Sequence, residues 1–251
     1  MNGYNKKVVI TGSSKGIGEK IAMAMAEQGM DIVLHYFMDE KLAENVKSEI
    51  ERKYNVKVYL VQANLNDPEE IKNMFKAIKQ MIGNIDIFVN NAASGVHKKL
   101  EDMRLKDWDW TLNVNGRGAF LCTKEAAKLM DKDKPTYIIN ITSMGSRRVL
   151  PEYGAVGCSK AVLESLGRYA AVEYAGDNII VNTIAGGVVE TEALDAFPHG
   201  KDIVSIGKEK TPAGKLIVPE DIANLAVLLT SGKADMVRGQ TIVVDGGFSL
   251  F

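Results

Sequence analysis

The sequence is poor in the residues that build covalent or metal cross-links. Its 251 residues include only two cysteines and three histidines. The cysteines, Cys122 and Cys158, follow no spacing typical of a disulfide framework or a zinc site. We therefore expect no metal and no disulfide, and we interpret both cysteines as packing residues.

The sequence also lacks long apolar runs and an excess of charge of one sign. No run approaches the about 20 apolar residues of a spanning helix, and the first residues hold too short an apolar run for a signal peptide. The formal net charge of -1 gives no electrostatic attraction to nucleic acid. These features predict a cytoplasmic protein with neither a membrane nor a nucleic acid as partner.

Short apolar runs alternate with amphipathic stretches along the whole chain. They predict strands over residues 7–11, 31–36, 56–62, 85–90, 137–142, 179–184 and 240–244. They predict helices over residues 17–28, 41–53, 68–82, 108–130, 153–174 and 219–229. This alternation indicates an α/β fold. We expect one domain over residues 1–251, a Rossmann-type doubly wound parallel sheet of about seven strands with helices on both faces.

A glycine-rich loop, TGSSKGIG, lies between the first predicted strand and the first predicted helix. Gly12 permits a tight turn, Gly16 permits close approach to a pyrophosphate, and Gly18 permits the helix to pack on the sheet. The free N–H groups and the helix dipole favour an anion there. The spacing is G-x-x-x-G-x-G rather than the general dinucleotide fingerprint. The alternative interpretation is a strand–helix turn without a ligand.

The end of the second predicted strand indicates which dinucleotide is bound. An acidic residue closing this strand binds the adenosine ribose diol and is typical of NAD. Here the strand ends at Tyr36, and Asp39 follows a few residues later. Lys15, in the glycine-rich loop, is placed to pair with a 2′-phosphate. The pattern favours NADPH over NADH; the alternative is a solvated Lys15 with Asp39 reaching back to the ribose.

Tyr153 and Lys160 form the most informative pair in the sequence, in the segment YGAVGCSK. Seven helical steps leave them about 20° apart around the axis and about 10 Å apart along it. They share a face but are too far apart for a direct hydrogen bond. A phenol near a cation is suited to donate a hydrogen bond to a developing oxyanion. Val156, one turn before Lys160, has no polar side-chain atom.

Several motifs together resemble the short-chain dehydrogenase/reductase family. They are TGSSKGIG, NNAAS, NVNGRGAF with Asn115, INITSMGS with Ser143, and RGQTIVVDGG, in the expected order. The family implies a doubly wound sheet, a nicotinamide cofactor and usually a homotetramer, with a dimer as the alternative. The Tyr-x6-Lys spacing, NNAASGV and DWDWTLNVN are most similar to the NADPH-dependent type III enoyl-acyl-carrier-protein reductases of Bacillus-like bacteria.

The resemblance implies three catalytic residues. Tyr153 matches the enoyl reductase tyrosine. Lys160 matches the family lysine that binds the nicotinamide ribose, and its charge is expected to lower the pKa of a neighbouring tyrosine. Ser143 stands 17 residues before Lys160, where ordinary carbonyl reductases place a serine that polarises the carbonyl and many enoyl reductases have a second tyrosine. Its alternative role is to satisfy backbone groups at the strand end.

The resemblance also implies the cofactor contacts. They are Gly12, Ser13, Ser14, Lys15, Gly16, Ile17, Gly18, Tyr36, Asn64, Leu65, Asn91, Ala92, Ala93, Lys160, Gly187, Val189 and Thr191. Asn115 matches an asparagine that supports a water relay to the lysine, and its alternative role is bonding to nearby backbone.

The resemblance places a substrate lid and a carrier-binding surface as well. The lid is expected at residues 191–212. Five cations are candidate contacts for an acidic acyl carrier protein bearing enoyl thioesters, or are simply solvated: Arg147, Arg148, Lys201, Lys208 and Lys210.

Three hypotheses for function remain at this point. The first is NADPH-dependent reduction of the trans-2 double bond of enoyl thioesters, in the last step of the fatty acid elongation cycle. The second is a 3-oxoacyl-acyl-carrier-protein or general carbonyl reductase that uses Ser143. The third is a cofactor-binding regulator without catalysis. Tyr153 is displaced by three residues from the family's usual position, which Val156 occupies. That displacement suits an oxyanion remote from the hydride-accepting carbon, and it favours C=C reduction.

Overall fold

The computed structural model describes residues 6–189, 204, 207 and 209–250. Its centre is a seven-stranded sheet in the order β3-β2-β1-β4-β5-β6-β7, with every neighbouring pair parallel. The strands are β1 (Lys7–Ile10), β2 (Asp31–Tyr36), β3 (Val58–Gln62), β4 (Ile87–Asn90), β5 (Thr136–Ser143), β6 (Ile179–Gly186) and β7 (Thr241–Val244). The prediction of a doubly wound sheet of about seven strands is confirmed.

Seven α-helices lie within the described residues. They are α1 (Gly16–Glu27), α2 (Glu40–Lys53), α3 (Pro68–Ile82), α4 (Leu105–Leu112), α5 (Ala119–Ala127), α6 (Gly154–Glu173) and α7 (Pro219–Leu229). Most bounds agree with the predicted ones to within three residues. None of these described helices is long and apolar enough to cross a membrane.

Alternate side chains of the central strands pack into two separate hydrophobic cores, one on each face of the sheet. Val8 and Ile10 of β1 face a cluster that includes α1, α2 and α7 residues. Val9, between them, faces a second cluster with α3, α5 and α6 residues. This alternation follows from the two-residue period of a strand, and it explains why the strands are apolar throughout: both faces are covered.

The predicted single helix over residues 108–130 is confirmed as one continuous helical stretch over residues 105–127, with an irregularity that was not predicted. α4 continues directly into a π-helical segment at Asn113–Gly118, which continues into α5. Gly118 permits a close approach there, because a Cβ at this position would lie 2.6 Å from the carbonyl oxygen of Leu65. Single-turn π segments within α-helices are frequent at functional sites, and this one carries Asn115.

The sheet order reverses direction between β1 and β4. Ligands of open parallel sheets bind at such a switch point, beyond the carboxyl ends of the strands. The glycine-rich loop follows β1, and the NNAAS segment begins at the end of β4. The fold therefore brings these two predicted cofactor segments to one edge of the sheet.

Candidate active site

The glycine-rich loop is built so that a side chain at two of its glycines would collide with backbone. Gly12 has a φ of 62°, and a Cβ there would lie 2.8 Å from the Cα of Ala92. A Cβ on Gly18 would lie 2.4 Å from both the carbonyl oxygen of Gly12 and the Nδ2 of Asn91. Gly16 also has a positive φ, but a Cβ there would meet nothing within 4 Å. The loop is therefore closely packed against neighbouring backbone at Gly12 and Gly18, and it is open at Gly16.

Asn91 locks this loop to the end of β4. Its Nδ2 donates to the carbonyl oxygens of Thr11 at 2.9 Å and Gly12 at 2.8 Å. In return, the Thr11 hydroxyl oxygen accepts from the backbone N–H groups of Asn91 at 3.0 Å and Ala92 at 3.1 Å. The Asn91 side chain thus holds the loop, while Ala92 and the exposed Ala93 continue along the predicted cofactor path.

His35 is a loop-organising residue that the sequence reasoning missed. Its Nδ1 accepts the Gly12 N–H at 3.0 Å, so the ring proton is on Nε2, 3.0 Å from the carbonyl oxygen of Ala63. Its backbone exchanges hydrogen bonds with the N–H and hydroxyl of Ser13. Burial lowers the pKa of His35 to about 4, so the imidazole is neutral. The available signal was a histidine in an otherwise apolar strand beside a glycine-rich loop.

The end of β2 bears on the choice between NADH and NADPH. Asp39 is engaged as the N-cap of α2, where its carboxylate accepts from the Leu42 N–H at 2.9 Å. This disfavours the alternative in which Asp39 reaches back to the ribose. Tyr36 closes the strand, and burial, together with the nearby Glu40 carboxylate, raises the pKa of its hydroxyl. Lys15 is exposed at the first turn of α1, on the side open to a ligand.

The other predicted cofactor residues are ordered by backbone contacts. Asn64 accepts from the Asn66 N–H at 3.0 Å, and the side chain of Leu65 is buried in the second core. Gly187 donates its N–H to the carbonyl oxygen of Val244 at 2.9 Å. Val189 forms a bridge with Ile217.

The remaining loop residues complete a cradle that fits a dinucleotide. The hydroxyl of buried Ser13 donates to the carbonyl oxygen of Ile10 at 2.9 Å. Ser14 and Ile17 are half-buried between Ser13 and the first turn of α1. A tight turn with an open face at Gly16, directed by a helix N-terminus, is the geometry that receives a pyrophosphate.

Tyr153 immediately precedes α6 and is held at the end of β5. It is the N-cap residue of the helix, and Glu152 before it has a left-handed φ of 58°. The Ser143 side chain lies close enough to the Tyr153 hydroxyl to affect its titration. Burial raises the pKa of Tyr153, and the Ser143 side chain opposes that shift. Strained backbone of this kind is concentrated at functional sites.

Lys160 reaches the same strand end from within α6. Its side chain is buried, and its Nζ donates to the carbonyl oxygen of Ile141 at 2.9 Å. Burial lowers the pKa of Lys160 to about 8. Lys160 was expected to lower the pKa of a neighbouring tyrosine, but the pKa of Tyr153 is raised. The two side chains approach β5 at positions two residues apart: Tyr153 lies near Ser143, and Lys160 bonds to Ile141.

Asn115 has its amide fully engaged. Its Oδ1 accepts from the Ser94 N–H at 2.8 Å, and its Nδ2 donates to the Ser94 carbonyl oxygen at 2.8 Å and to the Ser159 hydroxyl at 2.9 Å. This agrees with the alternative in which Asn115 bonds to nearby backbone. It fixes the loop after β4 against α6.

Val156 occupies the usual tyrosine position and is packed there. It is 6% exposed, and a Cβ on Gly95 would lie 2.4 Å from its Cγ2. The backbone of the loop after β4 therefore lies against this valine. No room for a phenol ring remains between Val156 and Gly95.

A cavity of about 450 Å³ borders the Ser143 turn. It is lined by Met144, Arg148, Val149, Leu150, Lys210 and Phe248. Four of the six are apolar and two are cationic. Leu150 and Tyr153 both adjoin Gly145, since a Cβ there would lie 3.3 Å from the former and 2.5 Å from the latter. Leu150 thus connects the cavity lining to the neighbourhood of Tyr153, and Tyr153 is not itself a lining residue.

The predicted carrier-contact cations differ in their surroundings. Arg147, whose side chain is exposed, pairs through Nε with the buried carboxylate of Glu164 at 2.9 Å, so its charge is already engaged within the chain. Arg148 donates to the carbonyl oxygen of Ser249 and, with exposed Lys210, borders the cavity.

Some predictions fall outside the described residues. They are Thr191, Lys201, Lys208 and most of the predicted lid at 191–212. No group of histidine, cysteine, aspartate and glutamate side chains suited to hold a metal occurs among the residues that are described.

Comparison with known proteins places this chain among reductases. A family model described as enoyl-(acyl carrier protein) reductase matches residues 12–249. A short-chain type dehydrogenase/reductase of Picea abies is 35% identical over 95% of this chain and 90% of its own length. A 3-oxoacyl-acyl-carrier-protein reductase of Staphylococcus epidermidis is 33% identical over 97% and 98%.

A solved structure agrees with the fold in detail. A short-chain dehydrogenase of Burkholderia cenocepacia, crystallised in complex with NADP, superposes with a TM-score of 0.92. The match covers 99% of this chain and 100% of that one, at 26% sequence identity.

Proposed function

Because this chain belongs to the short-chain dehydrogenase/reductase family, we propose that it is an NADPH-dependent reductase of acyl thioesters. Its substrates are trans-2-enoyl chains borne by acyl carrier protein, and the bond reduced is C=C. The reaction is the last step of the fatty acid elongation cycle in the cytoplasm.

The observation that carries this proposal is the displaced proton donor. Val156 is apolar and is packed against Gly95 where ordinary family reductases place the tyrosine. The phenol of Tyr153 instead joins Ser143 from a position before the helix begins. In an enoyl thioester the carbonyl oxygen that gains charge is two carbons away from the carbon that accepts hydride. A hydroxyl donor at Tyr153, three residues before the usual position, suits the distance between the thioester oxygen and the β-carbon.

The side chains divide the work as follows. Tyr153 donates a hydrogen bond to the thioester oxygen as it becomes an enolate, and Ser143 orients the phenol. Lys160, charged near neutral pH, adds electrostatic stabilisation from within α6. The α-carbon then takes a proton as the enolate collapses to the saturated thioester. NADPH, when bound, supplies the hydride for the β-carbon.

NADPH is the cofactor for three reasons found in the chain and its relatives. Lys15 is exposed at the loop that would hold the 2′-phosphate. The carboxylate of Asp39, the nearest candidate for a ribose diol, caps α2 instead. The Burkholderia cenocepacia structure holds NADP in the same fold.

We assign the substrate and its carrier from the cavity that borders the Ser143 turn. Its apolar lining suits an acyl chain, and Arg148 and Lys210 at its border suit an acidic carrier. We assign homotetramer formation to the exposed apolar residues on α5 and α6, namely Phe120, Tyr169 and Val172. Mass photometry of the purified protein tests this assembly directly.

A 3-oxoacyl-acyl-carrier-protein reductase is the second candidate function. Two observations favour it: the name of the Staphylococcus epidermidis relative, and the position of Ser143 at the end of β5, where the resemblance places the serine that polarises a carbonyl in ordinary family reductases. The family description names the first activity, but the comparisons taken together favour the second, because the Staphylococcus epidermidis reductase matches almost the whole chain. We prefer the first candidate on the position of Tyr153 alone.

Two thioester substrates distinguish the candidates. Purified protein is incubated with NADPH and either a crotonyl or an acetoacetyl thioester, and products are identified by mass spectrometry. We expect butyryl product from the first, negligible turnover of the second, and loss of activity in Tyr153→Phe. Rapid formation of 3-hydroxybutyryl product, unaffected by Tyr153→Phe, would establish the second candidate.

A further inference from the structure

The phenol ring of Tyr153 is enclosed on its edge and on its face. The Cδ1–Cε1 edge lies against Gly145, where a Cβ would come within 2.5 Å of Cε1. The face lies against His97, whose imidazole is stacked on the phenol with ring centroids 5.7 Å apart and planes inclined by 17°. With the Ser143 side chain close to the hydroxyl, the ring has three independent restraints.

His97 is held in place by the loop that carries it. The next residue, Lys98, donates its backbone N–H to the carbonyl oxygen of Glu152 at 3.0 Å. The Nζ of Lys98 lies 3.3 Å from the carboxylate of Asp107 at the start of α4. The loop after β4 is therefore fastened to the segment just before Tyr153, and it brings the imidazole onto the phenol.

A tyrosine in this position needs such a restraint. Tyr153 is the N-cap residue and lies outside the regular turns of α6. The side chains of a helix interior are confined by their own helix, whereas a residue before the first turn lacks that confinement on one side. Stacking of two aromatic planes supplies a directional contact at little conformational cost.

We propose that His97 is a positioning residue that fixes the plane of the Tyr153 phenol by ring stacking. The inference rests on the proposed function, since it assumes that Tyr153 donates to the oxyanion. His97 is half-buried, and burial lowers its pKa while Glu152 opposes the shift. The imidazole is therefore neutral at neutral pH, and its aromatic plane rather than a charge does the positioning.

Two substitutions at this position separate the plane from the nitrogens. His97→Ala removes the stacked ring and is expected to lower kcat about tenfold, because small misplacement of a reacting group slows the reaction strongly. The KM for NADPH should stay unchanged. His97→Phe restores a plane without nitrogens and is expected to recover most of kcat. Lys99→Ala, an exposed neighbour, is the matched control and should behave as wild type.

The outcomes are separable from those of the proposed function. In a Tyr153→Phe background, His97→Ala should cause no further loss, because the group it positions is gone. If Tyr153→Phe alone is fully active, the proposed function fails. If Tyr153→Phe is inactive but His97→Ala has wild-type kcat, only this inference fails. An equal loss in His97→Phe and His97→Ala also overturns it, since the nitrogens rather than the plane would then matter.

Discussion

The two sides of the site are held in opposite ways. The glycine-rich loop is fixed by backbone contacts and by two side chains, the half-buried Asn91 and the buried His35. The catalytic segment is fixed by side chains that are themselves proposed to react. Tyr153 is tied to Ser143, and Lys160 to the backbone of β5.

This difference teaches where stability and function conflict. On the loop side, the contacts that bind the cofactor segment also complete the fold, so damage there should lower both stability and affinity. On the catalytic side, a buried ammonium and a strained residue before Tyr153 are unfavourable for the free protein. Their replacement should harm the reaction while sparing or improving stability.

Lys160→Met tests the catalytic side and carries the largest expected effect. We expect kcat to fall about 10³-fold, since electrostatic stabilisation in a closed site is lost. The cofactor-free variant should nevertheless be more stable at pH 7, on the order of 1–2 kcal/mol after the lost Ile141 hydrogen bond is counted. Steady-state kinetics and urea unfolding measure the two quantities.

The stability difference between wild type and Lys160→Met should depend on pH in a direction that follows from the pKa of Lys160. The pKa of Lys160 is about 8 in the folded protein, below the unfolded value of about 10.4. Between these values the unfolded chain binds more protons, so wild-type stability rises with pH. The advantage of Lys160→Met should therefore shrink between about pH 8 and 10.5. A difference that is constant over this range would contradict the burial argument.

The same contrast explains what could be predicted from sequence. The strands and most helices follow from apolar periodicity, and the loop follows from Gly12, Gly16 and Gly18. The π-helical segment at Asn113–Gly118 was missed because no sequence pattern marks it, and the close approach of Gly118 to the Leu65 backbone depends on residues distant in the chain. His35 and His97 were missed because neither belongs to a motif, and their roles depend on partners far away in the chain.

Gly18→Ala tests the loop side with the next largest effect. Its new Cβ would lie 2.4 Å from the Gly12 carbonyl oxygen, a backbone atom that cannot move without the loop. We expect the Kd for NADPH to rise about 100-fold and unfolding stability to fall by about 1–3 kcal/mol. Fluorescence titration and chemical unfolding measure these changes.

Gly176→Ala is the matched control for that substitution. A Cβ at Gly176 would meet nothing within 4 Å, so both quantities should stay near wild type. A loop that tolerates Gly18→Ala with unchanged Kd would show that the packing of Gly18 on Asn91 and Gly12 is dispensable.

Substitutions of His35 should raise the Kd for NADPH less than Gly18→Ala does. His35→Leu removes both ring hydrogen bonds, and we expect about a tenfold rise in the Kd for NADPH. His35→Asn keeps an acceptor near the Gly12 N–H and should lose less. A Leu variant with wild-type Kd would contradict the organising role of His35.

The titration of His35 provides a second measurement. Its folded pKa of about 4 lies below the unfolded value of about 6.5. Its contribution to stability is therefore complete above about pH 6.5 and is lost as the pH falls through about 4, roughly 3 kcal/mol in all. Over this range His35→Asn should show a flatter dependence of unfolding free energy on pH than wild type. If the unfolding free energies of wild type and His35→Asn change equally with pH, His35 is not the group whose protonation destabilises the fold.

Lys15→Ala has the smallest expected effect, because it removes one exposed charge from a ligand contact and leaves the fold untouched. We expect the KM for NADPH to rise a few-fold, about 1 kcal/mol of binding, with the KM for NADH unchanged. Lys76→Ala, an exposed lysine on α3, is the control and should change neither constant. The selectivity is the informative quantity: an equal rise for both cofactors would mean that Lys15 supports the shared pyrophosphate, and that the 2′-phosphate is recognised elsewhere along the end of β2.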